Sequence, residues 1–264
     1  MKEKPKPRQR GRNFSGRRST RNLKPQPAQS HYIYGLHAVR AAIENPNREK
    51  TTLFSTPNAL GRLQDRTDTG VPELEIEQRT PGELDRLVGS GAVHQGLVLK
   101  VMPLPRPDLA SLENYKLIVI LDQITDPHNV GAILRTACAF GADAVITTAR
   151  HAPNETGVLA KSASGALDLV PYIEVNNLGE AIKTLKKQAV WCIGLDSEAE
   201  TALGQPQDEK NIALVLGAEG KGLRHKTRQL CDQMLALDMP GPIKSLNVSN
   251  AAAIALFAIS GINS

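Results

Sequence analysis

Aromatic residues make up only 3% of this 264-residue chain, so any core must be built from Leu, Ile, Val and Ala, and base stacking on aromatic platforms is not expected to dominate nucleic-acid binding. Cysteine is scarcer still. Cys138, Cys192 and Cys231 are odd in number, widely spaced and set in apolar surroundings, which argues against a disulfide framework or a zinc site and fits buried, inert thiols in a reducing compartment. No run approaches the roughly 18 apolar residues of a membrane span, and no charged-then-apolar leader opens the chain. A soluble, cytoplasmic protein without a membrane partner is expected. Six histidines, at 31, 37, 94, 128, 151 and 225, lack metal-ligand spacing, and GxSxG, HExxH and CxxC are absent. Neither a metal nor a covalent nucleophile is assigned.

What the chain does have is length for one large or two ordinary domains and 41% hydrophobic residues to fill them. Its formal charge of +5 is unevenly spread. Residues 1–30 hold ten Lys or Arg against the single acid Glu3, leaving 22 bases against 26 acids in residues 31–264. With prolines and glycines among the charges and only Phe14 and Leu23 as sizeable apolar residues, this tail is expected to be disordered when free. It fits an arm for RNA phosphates, a transit peptide or a solubilising extension. The absence of an amphipathic face weighs against the second. As a coil it would reach on the order of 30 Å from its anchor, and binding through it would depend steeply on salt.

From Tyr32 to Val101 the pattern is a small α/β unit. GLHAVRAAIENP reads as a helix ending at Asn45-Pro46, TTLFST as a strand, PGELDRLVG as a helix opened by proline, and GLVLKV as a second strand. Three prolines then stiffen the connector that begins at Met102, and the domain boundary is placed there. Beyond it LIVIL, DAVITT, VWCIGL, NIALVLG and MLALDM alternate with helical stretches, the pattern of a mostly parallel sheet covered by helices. Ligands of such sheets sit at the carboxyl ends of strands.

Three segments fall at those ends. In LDQITDPHNVGAILRTACAFGADAV (Leu121 to Val145), Asn129 is a natural helix cap and Gly141 marks the helix end. Arg135 lies among Ile133, Leu134, Ala137 and Ala139, where a guanidinium is costly unless it is paired or faces a ligand. In LVLGAEGKGL (Leu214 to Leu223) the glycine order matches neither a P-loop nor GxGxxG. It reads as a flexible turn in which Gly217 lets backbone approach a ligand and Glu219 holds neighbouring donors. In LDMPGPIKSLNVSNAAAIALF (Leu237 to Phe257), Ser245 and Asn247 are compact groups suited to phosphate or ribose oxygens. Ser249 or Asn250 can start a final helix, whose run AAAIALFAI is apolar nearly all round and should be buried in the core, in a subunit interface, or both.

Together these segments resemble motifs one, two and three of the SpoU branch of the SPOUT RNA methyltransferases, also called the TrmH family. The resemblance implies an α/β fold: a SPOUT methyltransferase domain over 116–264 with a trefoil knot, a linker over 104–115, and an L30e-like RNA substrate-binding domain over 31–103 behind the basic tail of residues 1–30. It also implies a homodimer using S-adenosylmethionine for 2′-O-methylation of RNA. By the same resemblance Arg135 activates the ribose hydroxyl and Asn129 and Glu219 hold the catalytic arrangement. Ser245 and Asn247 fix the target nucleotide, and Gly217, Leu237 and Leu246 contact the cofactor. The domain order looks most like bacterial enzymes that methylate a guanosine of 23S ribosomal RNA. A tRNA guanosine 2′-O-methyltransferase, or a non-catalytic RNA-binding or ribosome-assembly protein, is the alternative.

Overall fold

Residues 29–67, 74–204 and 211–260 are described by a computed structural model, in which the apolar runs become two sheets. The basic tail, apart from its last two residues, lies outside the described residues. The first unit comprises β1 (His31–Tyr34), α1 (Leu36–Glu44), β2 (Lys50–Ser55), α2 (Pro57–Gln64), β3 (Glu75–Gln78), α3 (Pro81–Val88) and β4 (Leu97–Val101). Its four strands run in the order β1-β4-β2-β3, with β4 antiparallel to both neighbours and β2 parallel to β3. Both predicted helices form. α3 carries a capping box between Thr80 and Glu83 behind Pro81, and Gly89, at φ 96°, ends it. β1, α2 and β3 were not anticipated: β1 and β3 span only four residues each, too few for alternation to stand out.

The second unit holds β5 (Leu117–Asp122), α4 (Pro127–Ala139), β6 (Ala144–Thr148), α5 (Gly157–Ala163), β7 (Tyr172–Val175), α6 (Leu178–Lys187), β8 (Trp191–Leu195), β9 (Ile212–Gly217), α7 (His225–Leu230), β10 (Gln233–Leu235) and α8 (Val248–Ser260). Its six strands are all parallel, in the order β10-β8-β9-β5-β6-β7. β5 is buried along its whole length. Each fully buried Leu or Ile in such a strand stabilises the fold by about 1.5–3 kcal/mol relative to exposure. β7, α5 and α7 were not anticipated either; β7 is an edge strand of four residues after Pro171.

From β5 the chain winds one way through β6 to β7, while β9 and β8 lie on the other side of β5. The order therefore reverses between β5 and β9, and a crevice opens at their carboxyl ends. α8 packs on α4 and β9. It is not apolar on buried faces alone: Ala252, Ala255, Leu256 and Ile259 are buried, but Ile254 and Phe257 are 48% and 70% exposed. Phe257 meets the Phe140 ring edge-on, 6.2 Å between centroids.

Candidate active site

The loop after β9 folds back on itself. Gly222 donates to the Ala218 carbonyl at 2.8 Å, and a Cβ on Gly217 would stand 2.2 Å from the Gly222 carbonyl carbon. Only glycine fits there, and what takes the place of a side chain is the loop's own backbone. The loop borders a cavity of about 270 Å³ lined by Gly217, Glu219, Leu237, Ser245 and Leu246, among others. Glu219 is exposed there with no hydrogen bond or ion pair among the described residues, so it does not hold neighbouring donors as expected.

The first and third segments meet through their asparagines. Asn247 Nδ2 donates to Asn129 Oδ1 at 3.0 Å, while Asn247 Oδ1 accepts from Ser249 N at 2.9 Å and Ser249 Oγ at 2.6 Å. Two roles expected from sequence change places. Asn247, not Ser249 or Asn250, caps α8, which begins at Val248. Asn129 does not cap α4: Asp126 does, accepting from His128 N at 3.0 Å. Asn129 lies inside the first turn, free of capping duty, and takes its hydrogen bond from Asn247 instead.

Arg135 is on the outer face of α4, exposed and unpaired by any carboxylate among the described residues. Ile133, Leu134 and Ala137 turn inward, so the cost expected of burying a guanidinium among apolar neighbours does not arise. The helical period carries it out to solvent. No hydrogen bond or ion pair among the described residues ties it to the cavity.

Two carboxylates missed in the sequence hold the site's frame. Asp122, fully buried at the end of β5, accepts from Arg224 N at 3.1 Å and pairs with Arg224 Nε at 2.7 Å. Asp196, which follows β8 and lines the cavity, pairs with Arg228 at 3.0 Å. Arg224, the cap residue of α7, and Arg228 within that short helix thus tie the end of the Gly217–Leu223 loop to β5 on one side and to the residue after β8 on the other. Both acids directly follow or end apolar strands, and that position was the available signal. Beneath α7, burial pushes the Cys192 and Cys231 thiols up to about 12, as inert cysteines require.

A larger cavity, about 770 Å³, lies away from this crevice, under the connector between the two units. Its carboxylates already have cationic partners, so the smaller cavity is the better candidate for chemistry.

Comparison with known proteins bears on this site directly. The model of the SpoU rRNA Methylase family matches residues 116–257, more than half of the chain. The chain belongs to that family. A second model, for RNA 2′-O ribose methyltransferase substrate binding, matches residues 32–107. Among its SpoU relatives, the 23S rRNA (guanosine-2′-O-)-methyltransferase RlmB of Haemophilus ducreyi is 39% identical over 87% of this chain and 97% of its own. The RlmB of Escherichia coli K12 is 36% identical over 86% and 97%. Among solved structures, the SpoU methyltransferase AviRb of Streptomyces viridochromogenes, in complex with the cofactor AdoMet, superposes with a TM-score of 0.73 at 23% identity, covering 89% of this chain and 90% of that one. At that identity the likeness speaks for the fold, a SpoU α/β fold with a parallel sheet.

Proposed function

We propose that the chain transfers the methyl group of S-adenosylmethionine to the 2′-hydroxyl of a guanosine in 23S ribosomal RNA. The observation that carries this reading is the crevice itself: a cavity at the strand-order reversal, bordered by the second and third motifs, with Asn247 tying the third to Asn129 of the first. RlmB relatives similar along most of the chain supply the substrate, and the AdoMet-bound AviRb supplies the donor.

The residues present fit such a donor. Leu216, Leu237, Leu246 and Val248 offer apolar contacts for a flat base, the glycine-bearing loop offers exposed backbone, and Asp196 and Glu219 offer negative charge to a cationic ligand. When bound, the donor supplies an electrophilic methyl carbon. The chain must then bring a ribose hydroxyl into line with it and assist loss of the hydroxyl proton. Ser245, exposed on the cavity rim, and Asn247 orient the nucleotide's phosphate and ribose. Asn129, in the first turn of α4, is held by Asn247 and fixes the first motif against the third. Arg135, with no carboxylate to neutralise it, serves as the cation that stabilises developing alkoxide charge. Glu219, on the wall of the same cavity, presents its carboxylate to the cationic donor.

The same reading assigns residues 31–103 to an L30e-like RNA-binding domain, 104–115 to a linker, and 116–264 to a knotted SPOUT domain. The basic residues of 1–30 act as an arm for RNA phosphates. Ile254 and Phe257, exposed beside Phe140, form the apolar seam of a cytoplasmic homodimer. No helix among the described residues is long and apolar enough to cross a membrane.

Methyl transfer from labelled donor to purified, unmodified 23S, 16S and transfer RNA, followed by nucleoside identification, tests the reading. 2′-O-methylguanosine in 23S RNA is expected. Label confined to transfer RNA would overturn the substrate, donor binding without transfer to any of these RNAs would point to an assembly-stage substrate, and RNA binding with neither donor binding nor transfer would favour a non-catalytic assembly role.

A further inference from the structure

The two units are joined by something more directional than packing. α5 of the second unit lies against β1 of the first so closely that a Cβ on Gly157 would stand 2.5 Å from the Tyr34 ring and 2.6 Å from the Tyr32 carbonyl oxygen. Beside this contact Arg48, from the first unit, has a fully buried side chain. Its two carboxylate partners both lie in the second unit. Asp168, past α5, takes two bonds from the guanidinium at 2.8 and 3.0 Å. Glu155, just before α5, takes another, and the Met102 carbonyl at the start of the connector accepts a fourth at 3.2 Å. Asn45 Nδ2 also donates to Asp168 at 3.1 Å, and Glu155 accepts from Leu104 N at 3.0 Å.

Burial is the largest influence on Arg48 and opposes its charge, yet Asp168 and Glu155 outweigh it and raise its pKa above the ordinary value. Burial would likewise raise Glu155, but His31, Arg48 and the Leu104 amide hold it below the ordinary carboxylate value. A fork of donors meeting two carboxylates is satisfied in one relative orientation only. The 770 Å³ cavity alongside leaves the units unfilled on that flank, so shape alone does not fix their separation there. From α5 the contact continues to α4, where a Cβ on Gly131 would stand 2.5 Å from Ser162 Cβ and His128 Nδ1 lies 3.2 Å from Ser162 Oγ. α4 carries Asn129 and Arg135.

We infer that Arg48, with Asp168 and Glu155, is a latch that sets the first unit at one distance and angle from Asn129 and Arg135. Arg48 is thus a positioning residue that decides which nucleotide of a bound RNA reaches the site. The inference rests on the proposed function, in which the first unit holds RNA and the second methylates it. Buried ion clusters are poor sources of stability compared with apolar packing, and fixing one arrangement is their best attested use.

Two substitutions attack the latch by different routes. Arg48→Met removes the fork, while Gly157→Ala leaves every charge in place and wedges α5 away from β1; should Arg48→Met fail to fold, Gly157→Ala decides. Three quantities are read: donor affinity by calorimetry, hydrogen exchange of α5 and β1 amides, and the ratio of 2′-O-methylation at the principal site to that at all other positions of the RNA. Donor affinity within twofold of the unaltered chain, faster exchange at α5 and β1, and a site ratio at least tenfold lower are expected, with Arg48→Lys in between. An unchanged ratio or unchanged exchange in a folded variant overturns the latch, as does a ratio that falls only in step with donor affinity. If the unaltered chain methylates a different RNA, the substrate reading fails and the latch is judged on that RNA by the same ratio. If it methylates none, the inference falls with the reading, and unchanged exchange would then also remove the latch itself.

Discussion

The crevice at the ends of β5 and β9 and the cluster around Arg48 are both rich in polar groups, and they are built in opposite ways. Around Arg48 the guanidinium is enclosed and its bonds to Asp168, Glu155 and Met102 are made within the chain. Glu219 and Ser245 at the crevice, and Arg135 on the outer face of α4, are exposed and have no hydrogen-bond or ion-pair partner among the described residues, while Asn129 and Asn247 satisfy one another. A group already satisfied by the fold holds the fold. A group left without a partner, on a frame fixed by Asp122–Arg224 and Asp196–Arg228, is available to a ligand.

The sharpest way to break that contrast is Arg135→Ala. An exposed, unpaired side chain contributes little to stability, within about 0.5 kcal/mol, yet turnover should fall by roughly 10²–10⁴-fold with donor affinity retained. Loss of donor binding in calorimetry would refute the assigned role. Arg48→Met should do the reverse, since it strands buried carboxylates: a stability loss of about 3–5 kcal/mol, read by denaturant unfolding, with turnover per folded molecule reduced far less than in Arg135→Ala. Asn247→Ala falls between the two regions. Loss of the α8 cap should cost about 1 kcal/mol, and the unheld Asn129 should lower kcat while KM for the donor stays within a few-fold.

The smallest effects are those of pH, with opposite signs in the two regions. Glu155 sits below the ordinary carboxylate value when folded, so its contribution is present above the unfolded value and is lost as pH falls through the folded one. Acid should therefore loosen α5 before the crevice, visible as hydrogen exchange. Cys192 and Cys231, raised from 9.0 to about 12, contribute fully below pH 9 and lose that contribution as pH rises toward 12. Thermal melts should fall over that alkaline window, less steeply in Cys192→Ala.

Much of the crevice was legible in the sequence because its parts are local. Apolar strands followed by small polar residues mark strand ends, and the three segments at those ends resembled SpoU motifs closely enough to name the family and the eight candidate residues. Five of those eight line one cavity, and Asn129 and Asn247 pair beside it. What misled was also local. Asn129 looked like a cap because asparagine caps helices, but Asp126, three residues earlier, occupies that turn. Arg135 looked costly among apolar neighbours because its face of the helix was not resolved by composition.

The sequence by itself determined the alternation of strands and helices, the break at the proline-rich connector, and the chemistry available at each strand end, because period, turn residues and side-chain type act over a few residues. Only the tertiary structure decided that Arg48 meets Asp168 across 120 residues, that Asn247 meets Asn129 across 118, and that Gly217 yields its side-chain space to its own loop. Those contacts depend on how two sheets pack and on the order of strands within them, and no local pattern carries that information.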